Sequence, residues 1–296
     1  MRGNERDKRG KKSKKRGRAR LGLALLLVYT AAVLFGVGEV SQRTAGTMFE
    51  RSGEVQIIAH RAGAGLGPEN TLAALERSIQ AGADVAEIDV RMTGDGAVVA
   101  LHDSSLERTA GLCCEIRQAD CQTVQSLDAG GWFSPRFRGE KIPTLVEMAG
   151  AARGRIGLMI EVKCGGQDRE TVEAVVGFLR REGLTEQCVL ACADPGLLRR
   201  SKELASELDT VCIGAELTPE LLDLDHVDGY SIALPGLTKA SVSAARSLGR
   251  TVCAWTVNTQ REMEQAMALG VDGLVSDDPE LVAVYLGRNT GERTKE

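Results

Sequence analysis

From residue 54 onward, short β-branched or apolar runs alternate with helical periods, and that regularity constrains the chain more than any other feature. The runs fall at residues 55–59, 84–90, 97–101, 156–162, 188–191, 210–213, 229–233, 251–255 and 272–275. Helical periodicity fills most of the gaps, at 71–81, 168–182, 194–207, 237–248 and 259–269, and closes the series at 278–286. Repeated βα units predict a parallel sheet covered by helices. Nine runs are one more than a closed (β/α)8 TIM barrel needs. The Asp95-Gly96 pair is a tight-turn signal. It predicts a hairpin between 84–90 and 97–101, with one strand outside the regular barrel and residue 102 opposite residue 87. Residues 104–143 break the rhythm and read as a small insertion after the second strand and its hairpin. The expected barrel covers 54–288, followed by a polar tail at 289–296.

The charge is unevenly placed. The 296 residues carry a net charge of −4, yet residues 1–20 hold eleven Lys/Arg against two acids, a balance of +9. The remaining 26 cations and 39 acids leave −13 on residues 21–296. An acidic body argues against a nucleic-acid binder, which presents a basic face to phosphate. Directly after the basic segment, residues 21–38 contain no charged side chain. As a helix they span about 27 Å, close to the bilayer hydrocarbon core. The reading is one transmembrane signal anchor at 21–40 and a linker at 41–53. The basic flank is then cytoplasmic and the barrel outside the cytoplasm. A cleaved secretory signal is the rival, with Thr44-Ala45-Gly46 as a weak small-residue site.

Export raises the question of the eight cysteines. Cys188, Cys192, Cys212 and Cys253 lie in apolar, strand-like runs, where a free thiol packs as a small hydrophobe. Cys113, Cys114 and Cys121 have loop-like surroundings, where a bridge from Cys121 to Cys113 or Cys114 could form, and the sequence leaves the disulfide state open. No CxxC pair or His partner suggests zinc.

In a barrel, catalytic groups come from the carboxyl ends of strands and the loops after them. Charged residues gather at those positions: His60 and Arg61, Glu87 and Asp89, His102 and Asp103, Glu161 and Lys163. Glu87 and Asp89 share one strand face because side chains alternate with period two, and so do Glu161 and Lys163. Glu87, Asp89 and Glu161 make a hard oxygen set suited to a divalent cation, Mg²⁺ or Ca²⁺. The chain has three histidines. Two fall at this mouth, while His226, in Asp225-His226-Val227, reads as structural. Asn70 has two readings, a site residue or the N-cap of the helix at 71–81. Two histidines, a metal set and nearby cations fit displacement at phosphorus.

On these residues the chain resembles the glycerophosphodiester phosphodiesterase family. The matching segments are His60-Arg61-Ala62 with Pro68-Glu69-Asn70-Thr71, Glu87-Ile88-Asp89 with Thr93-Gly94-Asp95-Gly96, and Val98 to Asp103. They continue with Gly131-Trp132-Phe133 and Ile142-Pro143-Thr144-Leu145, Glu161-Val162-Lys163, Trp255-Thr256-Val257-Asn258, and Gly270 to Gly273 with Asp277 and Pro279. The match runs in order over residues 55–285. The resemblance implies hydrolysis of glycerophosphodiesters, small or lipid-derived, to sn-glycerol 3-phosphate and an alcohol. It implies His60 and His102 as the acid/base pair, in an order the sequence does not fix. It implies Glu87, Asp89 and Glu161 as metal ligands, and Arg61, Lys163, Trp255 and Glu69 as substrate contacts. Ala62 stands where the family usually has Gly, and Ser276 where it usually has Thr. A lysophospholipase D or sphingomyelinase D activity, and a catalytically inactive membrane-tethered binding module, are the alternatives. The oligomeric state is left open.

Overall fold

The computed structural model describes residues 54–288. In chain order they form β1 (Gln56–Ala59), α1 (Leu72–Gln80), β2 (Val85–Met92), β3 (Val98–Ala100), α2 (Glu107–Ala110), α3 (Cys121–Ser126), α4 (Leu145–Ala152) and β4 (Gly157–Val162). The chain continues through α5 (Asp168–Glu182), β5 (Cys188–Cys192), α6 (Pro195–Leu204), β6 (Thr210–Gly214), α7 (Pro219–Leu222) and β7 (Gly229–Ala233). It ends with α8 (Lys239–Ser247), β8 (Thr251–Trp255), α9 (Gln260–Leu269), β9 (Gly273–Ser276) and α10 (Pro279–Tyr285).

Strands β1, β2 and β4 to β9 pair in parallel, and β1–β2 pairing closes the ring. This is the expected eight-stranded barrel. Strand β3 pairs antiparallel with β2 alone and lies outside it. Period-two alternation sorts the side chains. Ile58, Val85, Met159, Val189, Val211, Cys253 and Val275 fill the barrel interior. Ala86, Ile88 and Val90 of β2, with Leu158, Ile160 and Val162 of β4, turn out against the helices. Four helices start on a Thr whose hydroxyl accepts from the N3 amide: α1 (Thr71), α4 (Thr144), α8 (Thr238) and α9 (Thr259).

Residues between β3 and α4 interrupt the βα alternation with the short helices α2 and α3 and irregular segments. Val99, Leu101, Leu106, Ile116, Ala119, Val124, Ala129 and Ile142 form a small core of their own. Helix α4 was not foreseen. Its Thr144–Glu147 capping box is its clearest sequence sign.

One expectation is corrected. The hairpin is one residue longer than a two-residue turn allows. Thr93 N–H donates to the Ala97 carbonyl, and Gly96 sits at φ 87°. That is a three-residue loop ending in the left-handed region. The register becomes Val90 with Ala100 and Met92 with Val98, which sets residue 102 level with Ile88 and not with Glu87. All eight cysteines are free thiols, so no bridge joins Cys121 to Cys113 or Cys114. No helix among the described residues is long and apolar enough to cross a membrane. The basic segment, the span expected at 21–40, the linker at 41–53 and the tail at 289–296 lie outside those residues.

Candidate active site

Glu87 and Asp89 point into the barrel from β2, and each is at most 3 % exposed. Parallel pairing of β2 with β4 sets Asp89 beside Glu161. Carboxylate oxygens of Glu87, Asp89 and Glu161 all lie within 4.8 Å of one another. Burial, with the neighbouring charges of Asp89 and Glu161, pushes the Glu87 carboxyl well above the usual range. Burial and Asp89 raise Glu161 as well. One Glu87 oxygen accepts from the Arg61 amide at 2.7 Å, and the other, Oε1, is buried with no hydrogen-bond partner. Three like charges with an orphaned buried oxygen are costly as they stand. A hard dication bound among them would supply the missing partner, so these residues fit a divalent metal.

Cations edge the trio. Lys163 Nζ donates to Glu161 at 2.7 Å and lies 3.5 Å from Asp89. Burial alone would lower its pKa, but the charges of Asp89 and Glu161 prevail and raise it. Arg61 lies 3.8 Å from Asp89 and donates to Glu69 at 2.9 Å. The turn after β1 places Arg61 at φ 49° and Ala62 at φ 63°, both left-handed. That conformation explains a preference for Gly at position 62, since a Cβ there costs about 1–2 kcal/mol. Asn70 resolves to the site. Its amide donates to Asp89 at 2.8 Å and its carbonyl accepts from the Asp89 amide at 3.0 Å, while Thr71 caps α1.

Each mouth histidine is held by an aspartate. His60 Nδ1 lies 2.6 Å from Asp277 Oδ1, and Asn258 holds the other Asp277 oxygen at 2.7 Å. Burial, the largest single influence, would raise Asp277, but the hydrogen bonds from His60 and Asn258 and the charges of His60 and Arg61 together outweigh it and hold the carboxyl below its usual range. His102 Nδ1 lies 2.7 Å from Asp103, and Arg108 of the insertion donates to Asp103 at 2.6 Å. Those bonds, Arg108's first, hold Asp103 far below the usual range. Arg108 also donates to both Glu69 oxygens at 2.7 Å and lies 5.9 Å from the Trp132 ring centroid. His102 lies close enough to act electrostatically on Glu161. Trp255 ends β8 half-buried, its indole N–H given to the Ser231 carbonyl at 3.0 Å.

The structure thus gathers Glu87, Asp89, Glu161, Lys163, Arg61, Asn70 and both histidines at one barrel mouth. Glu69 is engaged by two arginines, an anchor more than a free ligand for substrate. His226 is structural, as expected, with its ring nitrogens on Pro195 O and Asp225. The supporting residues Asp277, Asp103 and Arg108 were not assigned roles from sequence. The signals were present: a charged residue just past β9, and the adjacent His102-Asp103 pair.

Aspartate-anchored histidines beside a cation-edged acidic trio at a barrel mouth are groups suited to hydrolysis of a phosphoester. The particular family follows from comparison with known proteins. The profile of the glycerophosphoryl diester phosphodiesterase family matches residues 60–281, and the chain belongs to that family. A glycerophosphodiester phosphodiesterase of Caldanaerobacter subterraneus subsp. tengcongensis is 31 % identical over 240 residues, covering 76 % of this chain and 94 % of its own. One of Bacillus subtilis is 26 % identical over 280 residues, covering 88 % and 95 %. Among solved structures, an Oleispira antarctica phosphodiesterase in complex with the product sn-glycerol-3-phosphate is 29 % identical with a TM-score of 0.73, covering 78 % of this chain and 96 % of that one. The chain is an enzyme of the phosphodiesterase class.

Proposed function

We propose that the chain hydrolyses glycerophosphodiesters to sn-glycerol 3-phosphate and an alcohol, with a divalent cation held by Glu87, Asp89 and Glu161. The observation that carries this reading is the acidic trio within 4.8 Å, with a buried orphan oxygen, between two histidines that aspartates orient. When bound, the cation, Ca²⁺ or Mg²⁺, would neutralise phosphoryl oxygens and lower the pKa of a nearby hydroxyl.

The chain's own groups do the rest. Arg61 and Lys163 hold the phosphate charge, and Trp255 flanks the glycerol. One histidine takes the proton of the glycerol 2-hydroxyl through Nε2, since Nδ1 is committed to its aspartate. The hydroxyl attacks phosphorus, and the other histidine protonates the departing alcohol. Water then opens the cyclic phosphate, with the histidines exchanging roles. Either order of the pair satisfies this scheme.

The test is a panel of glycerophosphodiesters, with lysophosphatidylcholine and sphingomyelin alongside, assayed after EDTA treatment and with Ca²⁺ or Mg²⁺ restored. Release of sn-glycerol 3-phosphate that requires added cation is the expected result. Preference for the lysolipid or sphingomyelin selects the phospholipase D-like alternative, and binding without turnover selects the inactive module. Activity that survives EDTA overturns the metal reading.

The same proposal places the barrel outside the cytoplasm on an uncleaved anchor at residues 21–40. Its support is the charge-free run with eleven cations on the amino-terminal side. Retention of the chain in membranes after carbonate washing is expected. A soluble form beginning near residue 45 would show cleavage instead.

A further inference from the structure

Two thiols that the reaction does not use meet where β4 and β5 end. Cys164 directly follows Lys163 and is exposed, while Cys192 is the last residue of β5 and is buried. Their sulfurs lie 3.6 Å apart. Glu161 pairs with Ala191 across the two strands, so Cys192 sits beside Val162, and its thiol donates to the Val162 carbonyl at 3.3 Å. The next residues are Gly165, at φ +114°, and Gly166, and neither has a neighbour within 4 Å of where a Cβ would stand. A disulfide needs about 2.05 Å between sulfurs, so closure asks for roughly 1.5 Å of movement by an exposed side chain on a glycine-rich loop.

We propose that Cys164 and Cys192 form a dithiol–disulfide site at the barrel mouth, oxidised by a small-molecule or protein disulfide. The Cys164 thiolate attacks one sulfur of that disulfide and expels a thiolate. The Cys192 thiol gives its proton to solvent, attacks the Cys164 sulfur and expels the second thiolate. Two protein thiols become one disulfide, and one external disulfide becomes two thiols. Cys164 leads because burial pushes the Cys192 thiol far above its usual range. The bond ties the residue after Lys163 to the barrel wall. It therefore pulls on the backbone that carries the ammonium now 2.7 Å from Glu161. Oxidation restrains Lys163 and weakens its hold on the substrate phosphate.

The chemistry is tested on the purified full chain in buffers of oxidised and reduced glutathione. Acid quenching, alkylation with one reagent, reduction and alkylation with a second come next, read by peptide mass spectrometry. The expected product carries the Cys164 and Cys192 peptides linked, with no glutathione retained. Glutathione left on Cys164 with Cys192 still free, or both thiols captured by the first reagent, overturns the site. Cys164→Ser should leave Cys192 reduced in every buffer, and loss of the Cys192 thiol in that variant overturns the pairing. Cys192→Ala gives a second control, and the wild-type mass result stands without it. For the consequence, KM should rise about twofold or more on oxidation, return on reduction and stay constant in Cys164→Ser. An unchanged KM in fully oxidised protein overturns the restraint on Lys163. The mass measurement needs no turnover, so failure of the proposed hydrolytic function and failure of this site remain distinguishable.

Discussion

The two mouth histidines are held in the same way by different parts of the molecule. His60 is barrel-built: its aspartate, Asp277, comes from the end of β9, 217 residues away, and is fixed by Asn258 after β8. His102 is held by its own neighbour, Asp103, and that carboxylate is locked by Arg108 of the insertion. Arg108 then reaches Glu69, which also holds Arg61. The barrel ring can therefore position one histidine alone, while the other depends on how the insertion sits. The difference teaches that an insertion with its own small core can be part of the catalytic geometry and not merely a cover.

The largest expected effect treats the two histidines as equals. His60→Ala and His102→Ala should each lower kcat by about 10²–10⁴-fold with circular dichroism unchanged. Near-normal kcat in either would remove that histidine from the acid/base pair.

The supports should come next. Asp277→Asn and Asp103→Asn should each cost about 10- to 100-fold in kcat, because an amide gives the wrong hydrogen-bond partner for a protonated Nδ1. Unaltered kcat in Asp277→Asn would show that the barrel positions His60 without it.

Arg108→Ala separates the regions. About tenfold lower kcat/KM is expected, with partial recovery in Arg108→Lys, which restores charge but not the fork that spans Asp103 and Glu69. Combined with Asp103→Asn the losses should not add, since both act on one network. Combined with Asp277→Asn they should multiply. Multiplication in both pairs would break the claim that Arg108 acts through Asp103.

Acid should report the same linkage as stability. Asp103 and Asp277 have folded pKa values below the unfolded value of about 3.9, so each contributes stability that is present above about pH 4 and fades as pH falls through its folded pKa. The Tm difference between wild type and Asp103→Asn, followed from pH 7 to pH 2, should be largest at the upper end and shrink at the lower. A difference that grows on acidification would reverse the assignment.

The smallest effect concerns the insertion alone. Asp120 caps α3 by accepting from the Thr123 amide at 2.7 Å. Asp120→Ala should lower the thermal midpoint slightly, by loss of that cap. It should leave kcat and KM unchanged, and a drop in kcat would show that α3 helps set Arg108.

Much of this was written in local pattern. Alternation with period two already put Glu87 with Asp89 on one face, and the βα rhythm already required a parallel ring whose strand ends converge. The hairpin register was missed by one residue, because a single left-handed Gly96 decides between a two- and a three-residue loop and both fit the same letters. Asn70 shows the other limit. An Asn before a helix is a natural cap, and only the bend that brings it to Asp89 reveals its use.

Sequence by itself determined the barrel, its acidic trio and the two histidines, since each follows from spacing along one or two strands. Tertiary structure alone decided which aspartate serves His60, how Arg108 joins Asp103 to Glu69, and that Cys164 meets Cys192. Those contacts link residues far apart in the chain, or turn on side-chain direction, and ring closure and register place them where no local pattern does.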